Sequence, residues 1–74
     1  MSQHIMRLTI TQNAATLMLL LEQARKSTYE ASQALCRGEP NLAVGRLLDL
    51  EQLLPDCEAL YSATLRLHRR VERR

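Results

Sequence analysis

The stretch Arg37-Gly38-Glu39-Pro40-Asn41 constrains this chain more than any other, because it separates two long segments that both read as helix. Gly38 fits the left-handed position just past a helix end, where a residue with a Cβ is strained. Pro40 fits the first position of the next helix, where a missing N–H removes nothing. Glu39 or Asn41 can serve that new N-terminus, the first by its charge and the second by capping. A chain punctuated in this way folds back on itself.

Both flanking segments carry an apolar heptad pattern. Before the turn, Ile10, Ala14, Leu17, Leu21, Ala24, Thr28, Ala31 and Leu35 recur at alternating spacings of four and three. The run Leu17 to Leu21 makes this helix apolar on nearly every side, as in a helix that is buried all round or awaits a partner. Glu22 and Lys26 form an i,i+4 pair of the favourable orientation. After the turn the seam reads Ala43, Leu47, Leu50, Leu54, Cys57, Tyr61, Thr64, His68 and Val71, with Leu53, Leu60 and Leu67 as a second apolar row beside it. Folding the chain at the turn sets Leu35 against Ala43, Ala24 against Leu54, Leu21 against Cys57 and Leu17 against Tyr61. Most layers then oppose a large residue to a small one, as interdigitating helices do.

The expected fold class is therefore all-α: an antiparallel two-helix hairpin, coiled-coil-like, over residues 13–72 with its turn at 37–41. Pro55 removes a backbone hydrogen bond to residue 51 and is expected to kink the second helix there or split it. Residues 1–12 are expected to be flexible or partly helical. Leu8-Thr9-Ile10-Thr11 alternates like a strand without a second strand to pair with, and Thr9 with Gln12 fits a capping box.

At 74 residues the chain is one small domain, short of the core that such a size needs for comfortable stability without staples, metal or a partner. It has no Trp or Phe, so any core is aliphatic, and a net charge of +2 does not by itself argue for nucleic acid. The longest apolar run falls far short of the roughly 20 residues of a membrane span. The first residues lack the pattern of a signal peptide, so the expectation is a cytoplasmic protein with reduced thiols. Cys36 lies beside the turn and Cys57 on the order of 20 Å further along the second helix, beyond disulfide reach. His4 and His68 alone do not make a metal site, and no cofactor motif is present. Asp49/Glu51 and Asp56/Glu58 diverge at i,i+2 spacing and read as solvated faces, so an enzyme is not expected. Arg66, Arg69, Arg70, Arg73 and Arg74 complement a helix C-terminus, with an acidic surface or nucleic acid as other recipients. The lack of aromatic stacking residues disfavours single-stranded nucleic acid.

The second-helix stripe is too wide for one partner helix to cover, which implies a protein partner. In its Ala24-Arg25-Lys26 stretch, its Arg37-Gly38-Glu39-Pro40 turn and its Leu47-Leu48-Asp49-Leu50-Glu51 segment leading to Leu60, Tyr61 and Leu65, the chain resembles the small E-type co-chaperones of bacterial type III secretion systems. The resemblance spans roughly residues 20 to 67 and does not extend to Pro55 or the arginine-rich end. It implies a hairpin that binds a tetratricopeptide-like chaperone and helps keep the needle subunit monomeric in the cytoplasm. On that reading Leu50, Leu53, Leu54, Cys57, Leu60, Tyr61 and Thr64 dock in a concave helical-repeat surface, braced by Leu17, Leu20 and Leu21. Two other classes share the same exposed leucines: a homodimeric four-helix bundle that binds RNA, and a phage-type antagonist that dimerises and caps a host protein.

Overall fold

A left-handed glycine closes the first helix. In the computed structural model, which describes residues 3–72, Gly38 has φ of 72°, and no non-glycine residue described has positive φ. The Glu39 N–H donates to the Ala34 carbonyl at 2.9 Å and the Gly38 N–H to the Leu35 carbonyl at 3.0 Å, the two bonds of a Schellman cap. Pro40 then opens the next helix, with Glu39 at the N-cap. The Glu39 side chain makes no capping bond; its carboxylate accepts instead from Arg37 Nε at 3.3 Å. No side chain caps this N-terminus by hydrogen bonding, and Pro40 at its first position removes one orphan donor.

The described residues form three helices: α1 (Gln3–Cys36), α2 (Pro40–Leu48) and α3 (Leu50–Glu72). α1 forms one arm, and α2 with α3 forms the antiparallel return arm of a rod measuring 55 × 15 × 14 Å. The chain is an all-α helical hairpin, and no strand occurs among the described residues.

α1 starts well before residue 13. Thr9 does not cap it but lies inside it, and its hydroxyl donates to the Ile5 carbonyl at 2.9 Å. Thr11, Thr16, Thr28 and Thr64 bond back to residue i−4 in the same way, which lets a β-branched polar residue sit in a helix without leaving its hydroxyl unpaired. The return arm is interrupted at Asp49, ahead of Pro55, which lies inside α3. There the Asp49 N–H reaches back to the Arg46 carbonyl at 3.3 Å, an i−3 bond. No large side chain holds this stretch inward: Arg46 occupies the seam position and is exposed, as is Leu47 beside it.

The seam itself uses one of the two rows expected on each arm and replaces the other. On α1 the inward residues are Met6, Ile10, Asn13, Leu17, Leu20, Ala24, Ser27, Ala31 and Ala34, so Ala14, Leu21, Thr28 and Leu35 are outside. On the return arm they are Ala43, Leu50, Leu53, Cys57, Leu60, Thr64 and Leu67, so Leu54, Tyr61 and His68 are outside. The cause lies beside the turn, where Ala31, Ala34 and Ala43 form one buried cluster. Alanines allow the arms to approach closely, whereas Leu35 or Thr28 in that row would hold them apart. On α1 helix continuity carries the chosen row outward, and on the return arm the same three- and four-residue spacing resumes beyond the break at Asp49. Ala34 beside Ala43 sets a register in which Ala24 is level with Leu53, Leu20 with Cys57, Leu17 with Leu60 and Asn13 with Thr64. Ser27 Oγ, part-buried, donates across the arms to Asp49 Oδ2 at a long 3.4 Å, in agreement with that register.

The two glycines carry opposite predictions. A Cβ meets nothing within 4 Å at either position, so only backbone conformation decides. Gly45→Ala is expected to stabilise the hairpin by up to about 1 kcal/mol, and Gly38→Ala to destabilise it by about 1–2 kcal/mol. Denaturation followed by circular dichroism reads both signs.

Candidate protein-docking face

The seam divides the hairpin surface into two unlike flanks. Antiparallel helices are related by a pseudo-two-fold axis perpendicular to both, so equivalent heptad positions on the two arms share a flank. The residues that precede the seam rows, among them Gln23, Glu30 and Asp49, lie on one side. With Lys26 and Gln52 they line a polar groove between the arms. Those that follow the rows, Ala14 and Leu21 on α1 and Leu54 and Tyr61 on α3, lie on the other. This second flank is apolar.

Exposure on the apolar flank is large for side chains of this size. Leu21 is 50% exposed, Leu54 52% and Tyr61 54%, and Met18 next to Leu21 is 65%. Ala14, Leu17, Met18 and Leu21 line a shallow groove along α1 that ends at Glu22 and Arg25. Those two side chains pair with each other: Arg25 Nη2 donates to Glu22 Oε1 at 2.8 Å, and Arg25 Nε lies 3.1 Å from both carboxylate oxygens. The hydrogen bonds from Arg25, and then its charge, hold the Glu22 carboxyl below the usual glutamate range. Glu22 is thus engaged by Arg25 rather than by Lys26, and the pair caps the groove as a neutral unit.

The predicted docking residues divide between the two environments. Leu17, Leu20, Leu50, Leu53, Leu60 and Thr64 are half-buried, and Cys57 is buried; all seven serve the hairpin's own seam. Of the ten, Leu21, Leu54 and Tyr61 are the exposed ones. Met18 belongs with them, and the signal for it was the apolar run Leu17–Leu21, in which some residue must face outward. Charged substitutions at Leu53 or Leu60 would therefore break the hairpin rather than report on docking.

One further polar contact is local to α3. Asp56 Oδ1 accepts from Gln52 Nε2 at 2.9 Å, one turn along α3. Among the described residues no three His, Cys, Asp or Glu side chains gather in a way that could hold a metal ion. No helix described is long and apolar enough to cross a membrane. No protein-family model matches the chain, and neither does any curated protein or solved structure.

Both cysteines are free thiols, Cys36 exposed beside the turn and Cys57 buried in the seam. A maleimide or Ellman reagent is expected to label Cys36 rapidly under native conditions and Cys57 only as the hairpin opens, because access governs thiol reaction. Equal rates at the two positions would contradict the seam described here.

Proposed function

We propose that this chain is a non-catalytic helical adaptor that works by offering its apolar flank to another protein, as a cytoplasmic co-chaperone of the type III secretion kind. The carrying observation is an imbalance of burial. The buried cluster beside the turn is made of alanines, no large side chain among the described residues is fully buried, and leucines, a methionine and both tyrosines stand half or more exposed. A two-helix rod with that distribution has little of its own core to hold it together, and apolar burial at roughly 25 cal/mol per Å² has to come from elsewhere. The partner's identity rests on the resemblance in residues 20 to 67 to E-type co-chaperones. On this reading a tetratricopeptide-like chaperone takes the flank in its concave groove, and together the two hold a needle subunit monomeric before export. The hairpin's part is to supply a rigid apolar edge, and no bond is made or broken.

The test is co-expression with the products of neighbouring genes, followed by purification of the complex and measurement of its affinity. Leu54→Asp and Leu21→Asp are each expected to weaken the complex at least about tenfold, since a buried leucine contributes about 1.5–3 kcal/mol. Tyr29→Ala, on the outer surface of α1, is expected to leave it unchanged. A complex indifferent to both aspartates, or no complex with any neighbouring product, would refute the reading.

A further inference from the structure

We infer that in the free protein a second copy of this chain covers the apolar flank, laid antiparallel so that the two turns lie at opposite ends of a four-helix bundle. Size is the first ground. A whole flank of the rod, 55 Å by 15 Å with the apolar patch at its middle, projects roughly 800 Å², so full-length packing of two copies offers room for the roughly 800 Å² of accessible surface that each partner buries in a standard stable interface. Symmetry is the second. α1 runs from Gln3 to Cys36, so its midpoint falls between Leu19 and Leu20, inside the apolar run. A two-fold axis across the rod at that point sets Met18 of each copy against Leu21 of the other. On the return arm Cys57 is level with Leu20, and Leu54 and Tyr61 stand on either side of it. The patch is thus centred on the middle of the rod, and each half can serve as complement to the other, as an isologous interface requires.

Charge is the third ground, and it selects the direction. Residues 3–21 and 59–70, the open end of the hairpin, hold four arginines (Arg7, Arg66, Arg69 and Arg70) and no carboxylate. Residues 22–58, the turn end, hold four cations and seven carboxylates, a net charge of −3. Antiparallel packing lays each basic end beside the partner's acidic half. Parallel packing would hold the two basic ends about one Debye length apart, roughly 8 Å at physiological salt, where they repel. An adaptor partner of the kind proposed above would have to displace this second copy, but the dimer does not depend on who that partner is.

Sedimentation of the full chain across a concentration series, with electron–electron distance measurement on nitroxide-labelled Cys36, tests the inference. The expected results are a species of twice the 8.5 kDa chain mass and a Cys36–Cys36 separation of roughly 50 Å, the length of α1 at the helical rise. Leu54→Asp and Leu21→Asp are each expected to return the mass to that of a monomer. A wild-type chain that stays monomeric and gains helix only with another protein overturns the inference while leaving the adaptor reading intact. A dimer whose labels lie close together, or one that survives both aspartates, overturns it as well. The distance comes from the wild-type chain, so it holds whether or not the variants fold.

Discussion

Close approach of the two arms beside the turn is the constraint on which the rest of this molecule depends. Gly38 reverses the chain within a Schellman cap, and Pro40 starts the return helix at once. The arms leave the turn already near each other, so the first layers can hold only small side chains. Ala31, Ala34 and Ala43 meet that requirement. A leucine forced into the same space would cost about 1–3 kcal/mol in overpacking. Because α1 is one unbroken helix, the choice made at the turn fixes which of its rows faces inward near its far end, and so which row is left outside.

Much of this was legible in the residues. The turn, the two arms, their antiparallel sense and the inward placement of Ile10, Leu17, Ala24 and Ala31 follow from Gly38, Pro40 and the heptad spacing. The second row of each arm does not. The sequence offers Ala34 and Leu35, or Leu60 and Tyr61, as neighbours on a wide apolar stripe, and bulk favours Leu35 whereas the approach distance favours Ala34. Periodicity contains no information about interhelical distance. The break at Asp49 has no comparable signal: Pro55 is visible in the sequence, whereas the i−3 bond from Asp49 to the Arg46 carbonyl is seen only in the fold. Thr9 and Gln12 fit a capping box, yet the helix already runs through them from Gln3.

The same one-row difference decides where function is sought. Seven of the ten residues that the sequence suggests for docking lie in the hairpin's own seam, and Leu21, Leu54 and Tyr61, with Met18, are left exposed. Each arm therefore divides its apolar stripe, one part turned to the other arm and one part left exposed. That division explains how a chain with an alanine cluster for its buried centre can still be a defined structure. It holds its shape through the turn and the seam between the arms.

The most direct test of this account is a set of methyl nuclear Overhauser contacts measured on the isolated chain in solution. The account predicts contacts between the Ala34 and Ala43 methyl groups and between the Leu20 methyls and the Cys57 β-protons. Contacts from Leu35 to Ala43 and from Leu21 to Cys57 in their place would put the other row in the seam, and would contradict both the packing and the docking flank derived from it.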